Sequence, residues 1–204
     1  MKRTLAFISG LLMICSSAQA YKQKEISIYS QSMNKEVPVT VITPDCYKKG
    51  KAFPVIYLLH GFSDNHTGWA KEGVAGKLAD QHDVMFVIPD GGYDSWYFDS
   101  PMTPEYQYET FVSKELIEYI DSHYKTIRDR EARAVTGLSM GGHGALYLAF
   151  RHQDVFGSAG STSGGVDIRP FPDNWNIKTR IGSIEEYPEN WEKNTVINLT
   201  HLLK

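Results

Sequence analysis

After residue 20 the chain carries a single cysteine, Cys46. No intramolecular disulfide is possible there, and Cys46 reads as an ordinary side chain rather than a catalytic thiol. Positive charge is not in surplus either, since 21 basic and 24 acidic side chains give a net charge of −3. That mild acidity leaves no footprint for nucleic acid. Past the first residues no apolar run is long enough to span a bilayer. Internal repeats, low-complexity tracts and linkers are missing. No metal or cofactor is expected.

What is present begins with a targeting segment. Lys2 and Arg3 give a positive start, Leu5 to Ile14 an apolar core, and Ala18-Gln19-Ala20 a small-residue cleavage site. The apolar part is too short to cross a membrane. Ile14 is bulky, which argues against a lipid-modified Cys15 and for ordinary cleavage after Ala20. The mature chain then starts near Tyr21, with export to the periplasm or outside the cell. Losing Lys2 and Arg3 leaves 19 basic and 24 acidic side chains, a net charge of −5. Residues 21–204 suffice for one domain with a sizeable core.

The organising stretch is Thr136-Gly137-Leu138-Ser139-Met140-Gly141-Gly142-His143-Gly144. A short apolar run, Ala132 to Val135, precedes it. An apolar helical pattern from Ala145 to Phe150 follows. Strand, G-x-S-x-G, helix is the context of a nucleophile elbow. The turn is tight, so Gly137 and Gly141 must lack side chains and Ser139 must take a strained backbone. The strain lifts the Ser139 hydroxyl clear of the sheet at the positive end of the next helix. There the Met140 N–H points where an oxyanion would form.

Upstream, Glu25–Ser30 and Val37–Ile42 alternate apolar and polar around a turn at Ser32–Lys35. They read as a hairpin at a sheet edge, where Pro38 is tolerated. Pro44 to Lys51 is polar connection. Phe53–Leu59 is nearly continuous in apolar residues, as for a strand buried on both faces. It runs into His60-Gly61-Phe62. Gly61 lets backbone amides turn to the site, and Phe62 N–H is the natural second oxyanion donor. Trp69–Asp80 is a plausible helix with weak points at Gly73 and Gly76. Val84–Pro89 is a second buried strand, closed by Asp90-Gly91-Gly92. Tyr93–Tyr108 is an aromatic loop, placed where α/β sheets bind ligands. Glu109–Tyr124 is an amphipathic helix whose Phe111, Val112, Leu116, Tyr119 and Ile120 face the core. After the elbow, Val155–Ser163 is a weak small-residue strand. Asp167–Pro188 is an irregular insertion over the site, and Trp191–Leu203 is helical.

Leu58-Leu59-His60-Gly61-Phe62, Pro89-Asp90-Gly91-Gly92 and Ser139-Met140-Gly141-Gly142-His143-Gly144-Ala145-Leu146, in that order, resemble one branch of the α/β-hydrolases. That esterase branch holds S-formylglutathione hydrolase, tributyrin-type esterases, feruloyl esterases and mycolyltransferases. The resemblance covers residues 22–204. It implies a three-layer sandwich on a mostly parallel sheet with an N-terminal antiparallel hairpin. It also implies Ser139 as nucleophile, Phe62 and Met140 as oxyanion donors, and an acyl-enzyme resolved by water.

In that family an acid and a histidine follow the serine. Only 65 residues follow Ser139 here, and the two strands that should carry those groups are missing from the pattern. His143 lies one helical turn beyond Ser139, so its ring points away and fixes the elbow or packs. His60 precedes the oxyanion turn. His66, His82, His123 and His152 read as surface residues. His201 is the single histidine after the insertion, and geometry must decide whether it substitutes as base. Asp167 and Asp173 read as solvated. An unpaired strand edge near Phe156 invites self-association.

The expected function is hydrolysis of carboxylic or thiol esters, with acyl groups on saccharides favoured by export over cytoplasmic formylglutathione. Two rival readings stand beside it. One is a non-catalytic saccharide-binding remnant using Trp96 or Trp175; the other is an acyltransferase.

Overall fold

The computed structural model describes residues 21–204. The targeting segment and its cleavage site lie outside those residues. β1 (Lys22–Ser30) and β2 (Lys35–Thr43) pair antiparallel, from Lys22 opposite Thr43 to Ser30 opposite Lys35. β3 (Val55–Leu59), β4 (Met85–Pro89), β5 (Arg133–Leu138) and β6 (Ser158–Thr162) complete one six-stranded sheet in the order β1-β2-β4-β3-β5-β6. β4, β3, β5 and β6 run parallel, and β2 joins β4 antiparallel. The hairpin is thus at an edge, but Pro38 is not on the edge strand. It sits in β2, one residue beyond the β2–β4 ladder of Val39–Ile42. Its missing N–H therefore costs that ladder nothing, while its carbonyl accepts from Asp90 N–H at 2.8 Å.

The continuous apolar runs are explained by two cores, one on each face. Val55, Tyr57 and Leu59 of β3, and Met85 and Val87 of β4, join the larger core. Their neighbours Leu58, Phe86 and Ile88 join the smaller one with Tyr21, Ala75 and Ala79. The smaller core is roofed by α1 (Val74–His82). The expected helix from Trp69 is broken. A single turn at Gly68–Ala70 precedes Gly73, which enters the left-handed region at φ 65° and lets α1 start afresh. The larger core is roofed by a helix made of α2 (Tyr108–Thr110), a π turn at Phe111–Glu115 and α3 (Leu116–His123), and by α4 (Met140–Arg151). Phe111, Val112, Leu116 and Ile120 are buried as the helical periodicity demands.

Beyond β6 the chain forms α5 (Ile177–Ile181) and α6 (Pro188–Asn194), then a 3-10 stretch at Val196–Leu202. Ile168, Ile177, Ile181 and Trp191 are buried in the larger core. The insertion is therefore part of the packed fold. By contrast, among the described residues β6 pairs on one side alone, with four of its five residues exposed.

Glu109, where the sequence pattern starts that helix, is not solvated. It is 7% exposed and accepts from Tyr147 Oη at 2.6 Å and Arg151 Nε at 2.7 Å, with His152 Nε2 at 2.8 Å. His152, expected at the surface, is half-buried in this network, which joins α2 to the end of α4. Burial alone would push the Glu109 carboxyl up, but the hydrogen bonds from His152, Tyr147 and Arg151 outweigh it and hold it at about 2. A carboxyl held below its ordinary value of 4.5 binds its proton later in the fold than in the unfolded chain. Its contribution is present above pH 4.5 and is lost as pH falls toward 2, about 3 kcal/mol in all. Urea midpoints for Glu109→Gln should fall at pH 7 and show a flatter decline than the parent below pH 4.5.

Candidate active site

β5 delivers the chain to Ser139, whose backbone sits at φ 53°, ψ −114°, outside the regions that side chains favour. Two hydrogen bonds hold it there. Ser139 N–H donates to Thr162 O at 2.8 Å, and Ser139 O accepts from His143 N–H at 2.9 Å. The residue is exposed, as an elbow requires. The flanking glycines are dictated by close approach. A Cβ on Gly137 would come within 2.5 Å of Gly141 C, and one on Gly141 would collide with Leu59 O and with the His60 backbone. α4 then opens at Met140, whose N–H is among the unpaired amides at the positive end of that helix.

The turn after β3 lies against this corner. A Cβ on Gly61 would stand 3.4 Å from Leu138 O and 3.6 Å from Ser139 Cβ. Gly61 is therefore beside Ser139. His60, fully buried, fixes the turn: its Nε2 accepts from Gly91 N–H at 2.7 Å and its Nδ1 donates to Gly61 O at 2.8 Å. Burial holds this imidazole below its ordinary pKa, which keeps it neutral and suited to one donated and one accepted bond. Its carbonyl is held in turn by Tyr97 Oη at 3.1 Å. Phe62 packs edge-on against Tyr93 at 4.9 Å, and Ser63 N–H donates to Tyr93 O at 2.8 Å. The ends of β3 and β4 are thereby tied into one unit.

His143 packs, as its position predicts. It is completely buried, with Nδ1 2.8 Å from Gly165 O and the ring stacked on Tyr147, edge-on to Trp96 and Phe98. Burial lowers its pKa to about 4. Between pH 6.5 and 4 the unfolded chain takes up a proton that the folded one refuses, so stability falls as pH drops through that window.

The other histidines are engaged elsewhere or exposed. His66, expected at the surface, is 15% exposed between Glu25 and Asp90, at 3.7 and 3.6 Å. His123 contacts Tyr119 O and Ser122, and His82 is exposed. His201 is exposed with Nδ1 2.8 Å from Asn198 O. Of the two acids read as solvated, Asp173 is exposed and pairs with Lys178, whereas Asp167 is a half-buried partner of Arg169 at 2.8 Å. Among the described residues none of these groups hydrogen-bonds the Ser139 hydroxyl. No cluster of three or more potential metal ligands is present among them, and no helix is long and apolar enough to cross a membrane.

The aromatic loop and the insertion meet beside α4. Trp96 Nε1 donates to Trp175 O at 3.1 Å, and the two indoles lie 6.2 Å apart. Arg180 donates to Asp94 Oδ1 from Nε at 3.0 Å and Nη2 at 2.7 Å. Sequence reading marked both tryptophans but missed this ion pair. Its partners stand 86 residues apart, and no local pattern joins them.

Comparison with known proteins places this geometry. The Esterase family model, described as "Putative esterase", matches residues 30–201. The chain belongs to this esterase family. An esterase of Mycobacterium tuberculosis is 35% identical over 140 residues, 64% of this chain and 30% of its own length. An endo-1,4-beta-xylanase/feruloyl esterase of Xylanibacter ruminicola is 33% identical over 157 residues, 70% of this chain and 22% of its own. The mycolyltransferase Ag85A of Mycobacterium leprae is 33% identical, covering 80% and 52%. The esterase chain thus spans about half, or less, of the length of these relatives. Among solved structures, a ferulic acid esterase superposes with a TM-score of 0.70 at 31% identity, over 85% of this chain and 70% of that one. An S-formylglutathione hydrolase from Agrobacterium tumefaciens gives 0.77 at 23%, over 90% and 72%, and supports the fold.

The close crossing at the elbow is testable in this esterase chain. Gly141→Ala forces the Leu59–His60 backbone aside and should cost about 1–3 kcal/mol by overpacking. Gly61→Ala, whose Cβ would meet its nearest neighbours at 3.4 and 3.6 Å, should cost less. Denaturant unfolding of both variants measures the difference.

Proposed function

We propose that the chain hydrolyses carboxylic or thiol esters through an acyl-enzyme on Ser139. One observation carries the reading: an exposed serine at φ 53° on a strand-to-helix corner, with Gly61 packed against it. Ser139 Oγ attacks the ester carbonyl, and the alcohol leaves as the acyl–serine bond forms. Water then releases the acid and restores the hydroxyl. The N–H groups of Phe62 and Met140 receive the negative charge that develops on the carbonyl oxygen. These amides belong to the His60-braced turn and to the first residue of α4, so they need little rearrangement at the moment of reaction.

Attack also needs a base for the serine proton. None of the described histidines meets Ser139, so turnover by the chain alone should lie on the order of 10⁴–10⁶ below that of a complete triad. This same observation favours a second reading, a non-catalytic protein that binds saccharide where Trp175 lies exposed over the buried Trp96. Acyl transfer to a sugar shares the acyl-enzyme and differs only in the acceptor. The relative named both endo-1,4-beta-xylanase and feruloyl esterase supports an acylated saccharide as substrate. The leader-like residues 1–20 support a periplasmic or secreted location. The unguarded β6 edge, without charge or proline, supports association with a second chain.

Hydrolysis of p-nitrophenyl acetate by the chain and by Ser139→Ala decides the first reading. Activity above the variant's supports it, and equal background rates reject catalysis by this chain. Supplying an acceptor alcohol and measuring transferred product separates transfer from hydrolysis.

A further inference from the structure

Among the described residues nine other than glycine adopt positive φ, and four of them form two adjacent pairs. Trp96 and Tyr97 (54° and 61°) lie in the loop after β4. Trp175 and Asn176 (48° and 58°) lie in the insertion. Side chains disfavour this backbone, so each pair persists only where its surroundings over-determine it. The two strained pairs face each other, and what binds them centres on one guanidinium. Arg180 places Nε and Nη2 on Asp94 Oδ1, and Nη1 on Thr103 Oγ1 at 3.1 Å. Its Cζ lies over the Tyr106 ring, 3.6 Å from the centroid. Its own carbonyl accepts from Ser100 Oγ at 2.6 Å. The second oxygen of Asp94 accepts from Asn176 Nδ2 at 3.0 Å, within one of the strained pairs. The ion pair is almost dry, with side chains 13% and 6% exposed, so it is screened little by solvent.

The clamp packs on the elbow helix and on the segment that follows β6. Trp96 packs on His143 and on Gly165, and Gly164 and Thr162 lie against Gly142 of the elbow helix. The outer member, Trp175, keeps 44% of its surface exposed and touches Phe171 at 5.3 Å. A large aromatic face is thus braced on Trp96 and left uncovered, one ring contact out from His143 of the elbow helix.

We propose that Arg180 is a positioning residue that sets substrate selection, by locking Trp175 through Asp94 as a fixed stacking wall for a flat group of a substrate that extends from Ser139 past the elbow helix. The inference rests on the reading of Ser139 as the reacting residue, but its test requires no turnover. The lock uses the fork of the guanidinium, so charge alone does not replace it.

The probe is 4-nitroacetanilide, an inert amide counterpart of p-nitrophenyl acetate, followed by quenching of tryptophan emission. The parent chain and Ser139→Ala should bind it alike, because stacking does not need the hydroxyl. Arg180→Met should raise the Kd roughly tenfold and change the near-ultraviolet dichroism of the Trp96–Trp175 pair. Arg180→Lys should behave as Arg180→Met does, and Asp94→Asn gives an independent reading if Arg180→Met does not fold. Trp175→Leu should abolish saturable binding.

An unchanged Kd in folded Arg180 variants overturns the proposal, as does full rescue by lysine. Absence of saturable binding to the parent chain overturns it as well. Lack of ester turnover alongside the expected Kd shift would instead reject the esterase reading and leave the clamp standing.

Discussion

Gly141 passes so close to the Leu59 carbonyl and the His60 backbone that no side chain fits between them. This contact sets how near α4 approaches the end of β3, and hence where the first amide of α4 lies relative to the turn at Gly61 and Phe62. The backbone of Ser139 is bent to permit it. An ordinary conformation at Ser139 would swing α4 off the sheet and lose its packing against β3, β5 and β6. Burial of Ala145, Tyr147, Leu148 and Ala149 on α4 therefore sustains the strain at the serine.

The elbow was legible because its chemistry is local. Two glycines at fixed offsets, an apolar run before and a helical pattern after describe one corner without reference to the rest of the chain. The buried strands were legible for the same reason: β3 and β4 contribute alternate residues to two different cores, so neither shows an alternating pattern. The turn at Gly61 was also marked, but the part of His60 in holding it was not. Its partner Gly91 lies 31 residues away, and a histidine before a glycine announces no such bond. His152 and His66 were misplaced by a similar blindness. A polar residue near a helix end or in a loop reads as solvated until the acid that draws it inward is known.

Three buried or half-buried ion pairs share this long reach. Glu109 holds Arg151, Asp94 holds Arg180, and Asp121 holds Arg133 at 2.7 Å. Each joins elements that the hydrophobic pattern alone would leave free to slide, with α2 on α4, the aromatic loop on the insertion and α3 on β5. Apolar burial drives collapse but specifies direction weakly. Arginine forks between elements supply direction, and in this chain they lie at the far ends of β5 and α4 and between the aromatic loop and the insertion, not in the elbow.

The bond from Ser139 N–H to Thr162 O makes the edge of the sheet part of the corner. β6 is short, mostly wet and paired on one side, the kind of strand whose amides exchange with solvent by local opening rather than by global unfolding. When it frays, Thr162 withdraws the acceptor that pins the serine's own amide, and the corner loses one of its two anchors. The dynamics of a strand without reactive groups thus govern how long the nucleophile stays cocked, and anything that lays a further strand along β6 would stiffen the serine without touching it.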